Sequence, residues 1–247
     1  GKATDLGSSY PIKSSEVGPM RMFRYKAADG LDMAGVLTLP PGKDAKKLPV
    51  VVLPHGGPWA RDYPEFDWMA QAFASRGYAV FQPNFRGSTG YGAAFEKAGD
   101  GEGGRKMQTD ISDGLAELVR QGIVDGDRAC IMGASYGGYA ALAGVTLQQG
   151  LYRCAVSVAG LSDLERFYST EMRETNRDRT KRRWLNQAIG TGRDLRSVSP
   201  IRFVDRVTAP ILLIHGTNDI VVLPEQSSNM ANALRAAGKE AELMNLE

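Results

Sequence analysis

At mid-chain, Gly133-Ala134-Ser135-Tyr136-Gly137-Gly138 places a serine with a glycine two positions away on each side. The segment follows the short apolar run Ala129 to Met132 and precedes Tyr139 to Leu147, which is almost entirely small or apolar. That is the strand–turn–helix context of a nucleophile elbow, a turn so tight that glycines must flank it, holding the serine hydroxyl above the sheet. The N-terminus of the following helix favours developing negative charge. A glycine-rich strand-to-helix turn can instead cradle phosphate. That use calls for Gly-x-Gly-x-x-Gly after the first strand, whereas this motif is central and carries a serine. Ser135 is therefore read as a nucleophile.

A second group follows the apolar run Leu48 to Leu53: His55-Gly56-Gly57-Pro58. Small residues there expose backbone N–H groups at the C-terminal edge of a sheet, where such sites gather. Pro58 has no N–H, so the N–H of Gly57 is chosen as an oxyanion donor, paired with that of Tyr136. Downstream, Ile211 to Ile214 delivers His215-Gly216-Thr217-Asn218-Asp219 to the same edge. Asp219 stands in the right order to orient a histidine as the acid of a triad; the alternative is a turn-forming aspartate. His55 precedes the serine, against the order serine, acid, histidine, and is read as structural or substrate-contacting. His215, at a strand end, is read as packing or hydrogen-bonding. No histidine follows Asp219. The sequence thus predicts two triad members without the third, a chain ending before its catalytic histidine and nearly inactive as it stands.

These groups need a scaffold. Strands are predicted over 21–28 and 32–39, joined at Asp29-Gly30 as an antiparallel edge. Further strands are expected at 48–53, 78–81, 129–132, 155–158, 211–214 and 241–246, alternating with helices at 66–75, 109–121, 139–147 and 225–237. The Gly-rich stretch 87–104 reads as loop, and 162–206 as an inserted, lid-like helical stretch. Strands alternating with helices predict a mostly parallel sheet covered on both faces; with the serine elbow this predicts an α/β-hydrolase fold. Residues 1–20 read as a linker or N-terminal tail and 21–247 as one catalytic domain, incomplete at its C-terminus.

The chain has 247 residues with 30 basic and 28 acidic side chains, formally +2. That balance provides no field to gather nucleic acid or an anionic membrane. No apolar run reaches the length of a membrane span. The expected location is soluble, cytoplasmic or periplasmic, with a homo-oligomer possible. Cys130 and Cys154 begin apolar strands and are read as buried thiols rather than a disulfide. No cluster of His, Cys and Asp has metal-ligand spacing, so no metal or cofactor is implied. Residues 171–183 hold nine charged side chains, Glu171, Arg173, Glu174, Arg177, Asp178, Arg179, Lys181, Arg182 and Arg183. They read as a solvated surface, with a domain-facing or peptide-guiding surface as the alternative.

Taken together, the motifs resemble the catalytic domain of the prolyl oligopeptidase family of serine peptidases, most closely its acylaminoacyl-peptidase and dipeptidyl-peptidase-like branch. His55 to Pro58 with Arg61-Asp62, Asn84-Phe85-Arg86-Gly87-Ser88-Thr89-Gly90-Tyr91-Gly92, Gly133 to Gly138, and His215 to Asp219 with Val222 carry the likeness, which runs over about 21–247. The resemblance implies hydrolysis of short or N-acylated peptides through an acyl-enzyme on Ser135. It also implies a β-propeller domain in the parent protein, absent here. A carboxylesterase of the same fold and a non-catalytic binding domain are the competing readings.

Overall fold

The structure is a computed structural model that describes residues 12–174, 178–190 and 192–247. Alternating exposed and buried side chains make β1 (Met20–Lys26) an edge strand, and β2 (Asp32–Thr38), buried almost throughout, lies beside it. Gly30, at φ 86°, makes the turn between them, where a Cβ would be strained. The apolar runs form β3 (Leu48–Val52), β4 (Ala79–Asn84), β5 (Val124–Ala134), β6 (Cys154–Val158), β7 (Ile211–Gly216) and β8 (Ala241–Leu246). They make one eight-stranded sheet in the order β1-β2-β4-β3-β5-β6-β7-β8. β1 and β2 pair antiparallel, as do β2 and β4; every other pairing is parallel.

Helices cover both faces, as an α/β-hydrolase fold requires: α1 (Trp68–Ala74), α2 (Ala93–Lys97), α3 (Lys106–Arg120), α4 (Tyr136–Thr146), α5 (Leu164–Glu174), α6 (Arg179–Ile189) and α7 (Glu225–Ala236). Every residue of α4 is buried, which explains its run of small and apolar side chains. Phe81, Ile131, Leu142 and Leu213 lie fully inside the core it shares with the sheet. Among the described residues no helix is long and apolar enough to cross a membrane.

Three expectations change. β5 begins at Val124, five residues before the apolar run, because its polar first half still pairs through Leu48 and Val124. The Gly-rich stretch 87–104 contains α2. Cys130 and Cys154 are joined in a disulfide, not held as separate thiols. The register places them directly opposite on neighbouring strands with Cα atoms 4.8 Å apart, a separation a disulfide spans. Residues 1–11 of the expected tail lie outside the described residues, and the remainder runs through a short 3-10 turn, Ser14–Glu16, into β1.

Candidate active site

Parallel strands aim their C-terminal ends the same way, and β3, β5 and β7 deliver the motif-bearing loops to that edge. At the end of β5, Ser135 adopts φ 55°, ψ −118°, a conformation costly for a residue with a Cβ. Its carbonyl accepts the first bond of α4, from Tyr139 N–H at 3.0 Å, while its own N–H donates to Val158 O at 2.9 Å on β6. The flanking glycines are required by space. A Cβ on Gly137 would sit 2.1 Å from Pro54 O, and one on Gly133 would sit 2.4 Å from the Gly137 carbonyl carbon. The serine is thereby fastened between β3, β6 and α4, half-exposed, with its side chain making no capping bond to the helix.

The loop after β3 lies alongside: a Cβ on Gly56 would meet Ala134 O at 3.2 Å and Ser135 Cβ at 3.6 Å. His55 is stacked on Phe85, with ring centroids 4.4 Å apart. Its Nδ1 is 2.7 Å from Gly56 O and its Nε2 is 2.8 Å from Ser88 Oγ. Burial lowers its pKa from 6.5 to about 4, so the ring is neutral, donating from Nδ1 to the carbonyl. A trans peptide sets a carbonyl and the next N–H on opposite sides. With Gly56 O turned to the imidazole, Gly57 N–H faces away from it. The resemblance motifs brace this loop: Asn84 accepts from Asp62 N–H at 2.8 Å and donates to Asp62 O at 3.0 Å, and Arg61 donates to Gly90 O at 3.0 Å. Behind them, Arg86 binds Asp110 and Asp29, tying β4 to α3 and to the β1–β2 turn.

Gly57, Ser135 and Tyr136 share the wall of a cavity of about 200 Å³, completed by Leu161, Leu164, Phe167, Ala188, Ile189, Arg193 and Val222 among others. The 162–206 stretch thus closes over the serine, through α5, α6 and the turn after α6. The Tyr136 ring is buried against Phe85 and Tyr139, its hydroxyl 3.5 Å from Met107 Sδ. None of the charged residues of 171–183 lines the cavity. Glu171 is buried and pairs with Lys181 at 3.0 Å, joining α5 to α6, while Arg173, Arg179, Arg182 and Arg183 face solvent. Arg177 and the Glu174 side chain lie outside the described residues.

On the third loop, Asp219 Oδ1 accepts from Val221 N–H at 2.8 Å and Val222 N–H at 3.0 Å. Its Oδ2 is 3.6 Å from His215 Nε2. His215 is buried; Nδ1 lies 2.7 Å from Ser227 Oγ and Nε2 lies 2.7 Å from Val222 O. A carbonyl can only accept, so Nε2 carries the proton and Nδ1 accepts from the Ser227 hydroxyl. This corrects the expectation that the chain ends before any histidine of a serine–acid–histidine set and is nearly inactive for that reason. A histidine, an aspartate and a serine are in contact here, and the argument for a dead chain falls with the missing residue. Sequence reasoning missed Ser227, which no motif marks, and Arg193, which stands in a loop among other charges.

The profile of the prolyl oligopeptidase family matches residues 64–247. The chain is 34% identical to dipeptidyl aminopeptidase BIII of Pseudoxanthomonas mexicana over 96% of its own length and 36% of that protein. It is 36% identical to dipeptidyl peptidase family member 6 of Caenorhabditis elegans, over 86% of this chain and 32% of that one. Among solved structures, a Mycobacterium tuberculosis puromycin-hydrolyzing peptidase superposes with a TM-score of 0.86 at 31% identity, covering 96% of this chain and 36% of that chain. An acylaminoacyl peptidase in complex with Z-Gly-Gly-Phe-chloromethyl ketone superposes at 0.83, also at 31% identity, over 94% of this chain and 37% of that one. The chain therefore spans roughly a third of the length of these curated relatives. With the fold, the elbow and these matches in agreement, the chain belongs to the prolyl oligopeptidase family of serine peptidases.

Proposed function

We propose that residues 21–247 form the catalytic domain of a serine peptidase that cleaves short peptides, with Ser135 as nucleophile. The observation that carries this reading is the strained serine at the N-terminus of a buried helix, opening on an apolar cavity. Ser135 Oγ attacks the scissile carbonyl; an acyl-enzyme forms, the amine leaves carrying the proton the serine gave up, and water hydrolyses the ester and restores the hydroxyl. Gly57 N–H and Tyr136 N–H receive the negative charge that develops on the carbonyl oxygen. Each such donor contributes several kcal/mol at the transition state, roughly 3 by precedent in other serine hydrolases. Asp219 is the acid, its loop stiffened by the bonds to Val221 and Val222 and by His215 beside it. Relatives named for dipeptidyl and acylaminoacyl activities support a substrate that is a short or N-blocked peptide. A propeller domain restricting access in the parent protein belongs to the same proposal.

Peptide anilides and short acyl esters separate this reading from an esterase. The expected result is anilide hydrolysis that Ser135→Ala abolishes. Turnover of esters with no measurable anilide cleavage would overturn the peptidase assignment while leaving the nucleophile in place.

A further inference from the structure

Arg193 is an odd member of the cavity beside Ser135. Leu161, Leu164, Phe167, Ile189 and Val222 make the walls apolar, yet a guanidinium is built into one of them. It is held by backbone alone: Nη1 donates to Ile189 O at 3.1 Å and to Gly101 O, and Nη2 donates to Gly103 O at 2.7 Å. Its Nε is buried without a partner, and among the described residues no carboxylate forms an ion pair with it. Burial favours its neutral form, lowering the pKa, yet a guanidinium stays charged. Carbonyl dipoles solvate that charge without cancelling it. The cavity wall therefore carries a net positive charge in a place where water screens poorly.

Resting on the peptidase reading above, we propose that Arg193 determines which substrate side chain this cavity takes: apolar first, acidic or amide next, cationic last. An apolar side chain gains the buried walls without desolvating a charge. A carboxylate meets a cation that makes no ion pair, Glu102 acting on it only through space and Arg105 adding like charge nearby. An ammonium or second guanidinium is brought against like charge inside an enclosed space, with no acid on the cavity wall to receive it.

The test uses diphenyl phosphonates bearing a leucine, glutamate or lysine side chain, with a side-chain-free fluorophosphonate as control. The readout is the second-order rate of labelling at Ser135. Leucine is expected to react fastest and lysine slowest, with the glutamate probe ahead of lysine by about tenfold or more. Arg193→Gln, which removes the charge but retains an amide donor for the loop carbonyls, is expected to bring the glutamate and lysine probes within about threefold. Arg193→Lys, which retains charge but loses the forked clamp, is expected to keep the ranking. Equal glutamate and lysine rates in the unmodified protein, or a gap that survives Arg193→Gln, would overturn the inference. Failure of the plain fluorophosphonate to label Ser135 would instead overturn the nucleophile assignment, and the two failures are distinct.

Discussion

Ser135 and Ser227 meet their surroundings in opposite ways. Ser135 sits at a positive φ on the wall of a cavity, with a hydroxyl that caps nothing. Ser227 sits inside α7, 1% exposed, with its hydroxyl donated to a buried imidazole. A list of residue types would not separate them. Access and strain do. Placing Ser135 takes two glycines whose Cβ positions are occupied by backbone, and a conformation that serine ordinarily avoids. Ser227 and His215 satisfy one another's hydrogen bonds and hold α7 to the end of β7, the loop from which Asp219 projects. The first is strained and opens on a cavity; the second is buried with its hydrogen bonds satisfied.

The largest expected effect falls on the elbow. In Gly137→Ala the new methyl would meet Pro54 O at 2.1 Å, with backbone on both sides and no flexible side chain to yield. A loss above about 3 kcal/mol, read from the urea midpoint, is expected, at or beyond the usual range for overpacking. A loss below about 1 kcal/mol would break the claim that close approach demands glycine there. Next comes the buried set. Ser227→Ala leaves His215 Nδ1 without its donor and is expected to cost about 1–3 kcal/mol of stability.

Acid titration sharpens the comparison by the smallest amount. His55, on the elbow side, has its pKa lowered from 6.5 to about 4 by burial. Between those values the unfolded chain binds a proton that the folded one does not, so this residue's contribution makes stability rise with pH. The penalty is complete below about pH 4, absent above about 6.5, and amounts to about 3 kcal/mol. His55→Gln is expected to remove that part of the pH dependence, as seen in urea midpoints at pH 4.5 and 7. An unchanged slope would show that His55 is not buried as a neutral ring. Asp62, raised to about 7 chiefly by burial, acts in the opposite sense across pH 4 to 7 and is controlled for with Asp62→Asn.

The elbow was legible because its constraint is local: strand, glycine, serine, glycine and helix are contiguous, and steric demand within six residues leaves little choice. Buried parallel strands were legible for a similar reason, since continuous apolar runs have few other uses. What was hidden depends on register and on distant segments. Nothing near Cys130 shows that Cys154 will lie opposite it. Nothing near Asp219 shows that His215 will turn its ring to a helix serine and to Val222, so the histidine–acid contact was missed and the chain wrongly read as lacking one. Arg193 looks like any loop arginine until its carbonyl partners, about ninety residues earlier in the chain, are brought beside it.

The central claim is that Ser135, not the buried Ser227, is the nucleophile, and fluorophosphonate labelling followed by peptide mapping tests it most directly. The account predicts one adduct on the peptide containing Ser135, lost in Ser135→Ala and retained in Ser227→Ala at a rate within about threefold. An adduct on the Ser227 peptide, or labelling that persists undiminished in Ser135→Ala, would contradict it.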